Sequence, residues 1–169
     1  PSKKGKYTAD RICCLATLGG LHKSPVHAFP MFTRGAIAHT NRKYPGAFLR
    51  KEGVGYVSVG SRAVVGCEKS STAAFGSYKL VSGRGDEVGD GCIPTEWTRL
   101  PGAQHIELDN AFHTFSPTAP KNQHWYGADA MIDQWLPKVL EEAGHKEKNI
   151  FQCAEDFLES LHRKPLVVH

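Results

Sequence analysis

Several things are scarce or missing in this 169-residue sequence, and each absence narrows the field. No apolar run approaches the ~18 residues that span a bilayer as a helix, so a transmembrane helix is not expected. The nine histidines fall into no HExxH or Cys/His cluster, which argues against a metal centre, and no cofactor is called for. Five cysteines (Cys13, Cys14, Cys67, Cys92, Cys153) are an odd number without metal-type spacing. They read as buried, reduced thiols and not as a disulfide framework. There is no repeat and no low-complexity tract. Charged residues make up 22% and hydrophobic ones 40%, a balance that excludes disordered, collagenous and coiled-coil chains. The sequence opens on Pro1, not Met, with no signal-peptide apolar stretch behind it. It is therefore expected to be processed or to be a piece of something longer.

Acid is also missing from one half. Before Glu52 the only acidic residue is Asp10, against Lys3, Lys4, Lys6, Arg11, Lys23, Arg34, Arg42, Lys43, Arg50 and Lys51. A basic half can meet nucleic acid or an anionic surface. No zinc-finger, RRM or helix-turn-helix signature accompanies it, so a solvated basic face or a partner-docking surface is favoured over nucleic-acid binding.

What is present alternates between strand and helix signals. Residues 11–18 are a short apolar run closed by Gly19-Gly20, which suits a strand of a parallel sheet covered on both faces. Adjacent Cys13 and Cys14 would then point to opposite faces. Residues 24–51, with Pro25, Pro30 and Pro45, show no clean period and read as a lid-like excursion with a helix over 31–40. Strands are predicted at 54–61 and 104–108, helices at 72–82 and 95–100. In residues 127–143 Met131, Ile132, Trp135, Leu136, Val139 and Leu140 share one helical face. Pro137 should kink that helix or start a new one, and Gly144 should end it. Asn149 can cap a last helix ended by Pro165, so helices are expected over about 127–163. The fold class is thus α/β with a parallel sheet, in one domain over 1–169. Such sheets place reactive loops at the carboxyl ends of their strands, here 19–24, 86–94 and 109–113.

Two of those loops carry an acid and then a histidine. A carboxylate that orients an imidazole, which in turn deprotonates a hydroxyl or thiol, is the acid–base part of a hydrolytic triad. At this point the residues carry a resemblance. ICCLATLGGLHKSP resembles the hydrophobic run ending in TLGTPH at strand six of lipase- and esterase-like members of the α/β-hydrolase superfamily. YVSVGS followed by GDGCIP resembles strand seven and the Asp-Gly-x-Val-Pro acid loop. RLPGAQHIELDNAFHTF is similar to strand eight and its histidine loop, and HWYGADAMIDQWLPKVLEEAG to the last helix of plant and algal members. The resemblance covers about residues 10–144 and implies a partial α/β-hydrolase fold, its C-terminal half.

Carried onto this sequence, the resemblance implies Asp90 as the acid, with Asp86 as runner-up, and His113 as the base. His105, in a strand, and His124 compete less well. His22 would be a hydrogen-bonding residue that lines the pocket. A turn aspartate before Gly91 is the alternative reading of Asp90, and a loop histidine with local bonds that of His113. The GxSxG nucleophile elbow does not occur; Ser58 in YVSVG has Tyr where the first Gly must stand and lies in the wrong strand. Two functions are therefore expected. One is the C-terminal part of a serine esterase or lipase, its nucleophile in a missing N-terminal half. The other is an inactive hydrolase-like subunit of a larger organellar or membrane-associated assembly. Both need a partner on the edge of strand 11–18. The resemblance makes a plastid or the cytosol the expected compartment.

Overall fold

The computed structural model describes residues 12–23, 33–115 and 123–144. Three strands form a parallel sheet: β1 (Cys14–Leu18), β2 (Gly55–Ser61) and β5 (Gln104–Leu108), in the order β1-β2-β5. Register runs from Cys14↔Gly55 to Leu18↔Val59 on one side of β2 and from Val57↔Gln104 to Ser61↔Leu108 on the other. The central position of β2 follows from its residues: all seven are buried, and none is charged or proline.

Four two-residue strands and three helices complete the described chain. The strands are β3 (Val64–Val65), antiparallel to β4 (Val88–Gly89), and β6 (Ala111–Phe112), parallel to β7 (His124–Trp125). The helices are α1 (Ala36–Lys43), α2 (Thr72–Ser82) and α3 (Asp129–Glu142), with 3-10 turns at Arg50–Glu52 and Thr95–Thr98.

The α/β class and the parallel sheet agree with the expectation from sequence, and so do α2 and β5. Helix α2 buries Ala74, Tyr78 and Val81, a 3.6-residue stripe, and ends at Gly83 with φ +89°. Helix α3 lays Met131, Trp135 and Val139 against Val57, Val59, Ile106 and Leu108. Ile132, Leu136 and Leu140, expected on the same face, stay half-buried beside that row. Gly144 ends the helical segment at φ +78°, its N–H on Glu141 O at 3.0 Å.

Four expectations need correction. First, no new helix starts at Pro137: α3 runs as one helix through it. Proline forfeits the bond to the carbonyl of Asp133, at a cost of ~3 kcal/mol, and the core contacts of Trp135 and Val139 on either side hold the helix together. Second, the helix expected over 31–40 is interrupted at Arg34 and Gly35, which adopt φ +49° and +77°, and α1 runs from Ala36 to Lys43; residues 31–32 lie outside the described residues. Third, β1 is not covered on both faces: it is an edge strand, with Leu15 44% and Leu18 36% exposed. Fourth, none of the described cysteines is buried. Cys13 is exposed and Cys14, Cys67 and Cys92 half-exposed, all free thiols. Cys13 and Cys14 share the uncovered edge, and Cys13 precedes the strand. Residues 24–32 of the lid-like excursion, the helix capped by Asn149, and Cys153 lie outside the described residues.

Candidate active site

The carboxyl ends of the three parallel strands share one rim. Gly19 follows β1 there and donates its N–H to Val59 O at 2.9 Å. The loop after β4 brings Asp90 and the segment after β5 brings His113. Asp90 is the best-satisfied side chain of the rim. Its Oδ1 accepts the N–H groups of Cys92 (2.9 Å) and Ile93 (2.8 Å). Its Oδ2 accepts His113 Nδ1–H at 2.8 Å and the Tyr126 hydroxyl at 3.0 Å. The turn aspartate and the histidine-pairing acid are thus the same residue, one oxygen for each role. The backbone repeats the link, His113 N–H donating to Asp90 O at 2.9 Å.

A carboxylate taken wholly out of water costs several kcal/mol unless its lone pairs are satisfied. The Asp90 side chain is 0% exposed, and two backbone N–H groups and a phenol, all donors, surround it along with the imidazole. It therefore acts as acceptor only, which assigns the proton to His113 Nδ1 and leaves Nε2, on the far side of the ring, as the basic nitrogen. The hydrogen bond to Asp90 holds the His113 imidazole above the ordinary histidine value of 6.5, against an opposing push from burial. Burial, with the Asp90 charge behind it, pushes the Tyr126 phenol far up and keeps it a neutral donor.

The acid loop is anchored from α2. Ser77 Oγ donates to Cys92 O at 2.7 Å, and the Tyr78 hydroxyl accepts Gly91 N–H at 2.8 Å while donating to Val64 O at 3.1 Å. Burial drives the Tyr78 phenol up to about 12. Gly91 takes φ +97°, which lets the chain turn back on Asp90. Ser61, at the end of β2, accepts Ala111 N–H at 3.1 Å and so fixes the start of the histidine segment. Tyr126 is itself held by Trp135 Nε1–H on its carbonyl at 2.9 Å. None of Tyr126, Tyr78, Ser77 and Ser61 was singled out from the sequence. A tyrosine three residues before the long amphipathic helix was the one available signal.

The other sequence candidates lie elsewhere. Asp86 is exposed and bonds the Arg84 side chain at 3.2 and 3.3 Å, which holds its carboxyl below the usual range. Ser58 faces the other side of the sheet, where its Oγ meets His105 Nδ1 at 2.9 Å. Burial and the Arg99 charge hold His105 below its ordinary value. His124 is in β7. His22 Nε2 bonds Thr17 Oγ1 at 2.8 Å, and His22 lines a cleft of about 280 Å³ with Asn41, Pro45, Gly46, Leu100 and Pro101. Neither Asp90 nor His113 borders that cleft. Among the described residues, no group of His, Cys, Asp and Glu is arranged to hold a metal ion, and no serine, threonine or cysteine is hydrogen-bonded to His113.

Tyr126 offers the simplest test of this arrangement. Tyr126→Phe keeps the ring and removes one of the donors to Asp90 Oδ2. A loss of about 1.5–3 kcal/mol is expected, the range for a hydrogen bond to a charged group, measured by urea unfolding. A loss under a few tenths would show that the phenol and the carboxylate do not interact in solution.

Compared with known proteins, the chain matches no family model, no curated protein and no solved structure.

Proposed function

We propose that this chain supplies the acid and the base of a serine carboxylic-ester hydrolase, as the C-terminal part of an α/β-hydrolase domain whose nucleophile lies outside these 169 residues. The observation that supports it most directly is the 2.8 Å bond between a fully buried Asp90 and a His113 side chain that is 33% exposed. A buried orienting acid and an accessible imidazole are what proton transfer at Nε2 requires. In the proposed reaction a serine Oγ–H gives its proton to His113 Nε2 as Oγ bonds the ester carbonyl carbon. The alkoxide then leaves with that proton, giving an acyl-serine. Water repeats the sequence with His113 again as base, releasing the carboxylic acid and restoring the serine. Asp90 holds the imidazole in the right tautomer and offsets the charge of the imidazolium.

The serine would enter on a strand beside β1. Strand β1 is one of the two edge strands of the sheet, and Ile12, Leu15 and Leu18 on and beside it are exposed. An edge of this kind templates strand pairing. The same observation favours a second reading, an inactive hydrolase-like subunit whose β1 edge is covered by a partner protein.

The sequence encoded upstream of residue 1 in the transcript decides between them. A GxSxG motif there is expected, and the protein that contains both parts should cleave p-nitrophenyl butyrate while the 169-residue chain alone should not. An upstream sequence without the motif, or full activity after His113→Ala, would overturn the first reading. A base must be neutral to work, so kcat/KM should rise with pH through a midpoint above 6.5, the value from which Asp90 raises His113.

A further inference from the structure

Outside the rim, the most exposed aromatic cluster that carries charge is on the segment from α1 to the 3-10 turn Arg50–Glu52. Tyr44 and Phe48 are 42% and 43% exposed, and their rings lie 4.9 Å apart at 39°. Lys43 Nζ stands 5.2 Å from the centre of the Tyr44 ring. Helix α1 itself buries no residue and carries Arg42 and Lys43 in its last turn. Over 33–53 the charged side chains are Arg34, Arg42, Lys43, Arg50 and Lys51, against Glu52 alone. Arg50 is tied to Glu142 at 2.8 Å; among the described residues no carboxylate pairs with Arg42, Lys43 or Lys51.

The aromatic pair is presented by fixed backbone. Tyr44 N–H bonds Thr40 O at 2.7 Å, Ala47 N–H bonds Pro101 O at 2.9 Å, and Leu49 N–H meets the Tyr56 hydroxyl at 3.3 Å. A β-carbon on Gly46, at φ +55°, would collide with Pro101 O, so this loop is seated closely against residue 101. Two rings held out in water by an anchored loop expose apolar surface that the fold does not use.

We propose that this segment, with Tyr44 and Phe48 as its apolar tip and Lys43 beside them, docks the protein on an anionic phospholipid bilayer. Aromatic rings with a polar or cationic neighbour partition to the headgroup–acyl boundary, and long basic side chains reach back to the lipid phosphates. Charge complementarity selects an anionic surface. A nucleic acid shares that charge, but it would use the ring faces for base stacking, and the Tyr44 ring is already engaged by Phe48 and the Lys43 ammonium. The proposal goes beyond ester hydrolysis and does not depend on it.

Vesicle co-sedimentation of the 169-residue chain tests it. The chain should pellet with phosphatidylcholine vesicles containing phosphatidylglycerol and not with phosphatidylcholine alone. Tyr44→Ser with Phe48→Ser should weaken binding roughly tenfold or more. Lys43→Glu with Lys51→Glu should weaken it by at least ~fivefold for each lost positive charge. Thermal unfolding of both variants should match the parent, because the altered side chains are exposed. A Phe48→Trp chain should show tryptophan quenching by brominated acyl chains above that of the parent, which decides the matter even if a variant unfolds. The proposal is overturned if the parent ignores the anionic lipid, if both variants pellet as the parent does, if Phe48→Trp adds no quenching, or if the patch binds oligonucleotides and not vesicles.

Discussion

Replacing Asp90 with alanine is expected to cost about 3–5 kcal/mol of folding stability, a large share of what a domain of this size has. The magnitude comes from the donors it would strand. Cys92 N–H and Ile93 N–H lose Oδ1, and His113 Nδ1–H and the Tyr126 hydroxyl lose Oδ2, in a place where water enters poorly. Each unpaired buried polar group costs roughly 1–3 kcal/mol, and partial relaxation keeps the sum below full additivity. Guanidinium unfolding of the two proteins measures the difference.

Asp90→Asn separates folding from chemistry. The amide oxygen can still face Cys92 and Ile93, but the amide nitrogen then meets His113 and Tyr126, so the imidazole loses its acceptor at Nδ1. The His113 pKa should fall from its raised position to the ordinary 6.5 or below, followed by the ring protons in NMR. Linkage gives the sign. A histidine with a raised folded pKa contributes stability that is complete below pH 6.5 and disappears as the pH climbs through the folded value. Wild type should therefore lose that increment between pH 6.5 and the raised value, and Asp90→Asn should not. In a catalytically complete protein the same change would lower kcat by about four orders of magnitude through the wrong tautomer. An unmoved His113 titration would mean that the 2.8 Å pair does not persist in solution.

How much of this was legible in the sequence follows from how local each signal is. Strand β2 announces itself in Tyr56-Val57-Ser58-Val59, β-branched and uncharged, and β5 in a short alternation, because burial on both faces or on one writes directly into composition. Helix α2 shows its period in Ala74, Tyr78 and Val81. The meeting of loops 86–94 and 109–113 could be expected because parallel strands bring their carboxyl-end loops to one rim; the choice of Asp90 and His113 within them came only from the resemblance. The support of that pair could not be read, since Tyr126, Tyr78 and Ser61 reach it across 36, 13 and 50 residues. No spacing rule connects residues joined only by the folded backbone. A new helix at Pro137 does not form for a related reason: local propensity favoured a break, and core contacts made from α3 to β2 outweighed it. The cysteines read as buried thiols because their neighbours are apolar, whereas Cys13 and Cys14 fall on the edge of the sheet, where apolar sequence does not imply burial.

Gly19 is where backbone and site meet most tightly, and Gly19→Ala is expected to damage the site more than the fold. The residue sits at φ +61°, directly after β1. A β-carbon there would lie 2.7 Å from Asp90 Oδ2, 3.0 Å from His113 Nδ1 and 3.0 Å from the Tyr126 ring. The left-handed backbone alone costs a non-glycine residue about 1–2 kcal/mol, and a forced contact of this kind a further 1–3 kcal/mol. The strained groups can yield in only one direction. Asp90 Oδ1 is pinned by two backbone N–H groups and the Tyr126 carbonyl by Trp135, so the side chain with freedom to move is His113, at 33% exposure. The added methyl should therefore swing the imidazole off Oδ2. Unfolding should record a loss of about 2–5 kcal/mol, and NMR a His113 titration that drops as it does in Asp90→Asn. The two readouts together distinguish a wedge from general destabilisation, because a variant that merely loosened the fold would lose stability with its His113 pKa still raised. A Gly19→Ala protein with wild-type stability and wild-type His113 titration would place the loop after β1 away from the acid–histidine pair.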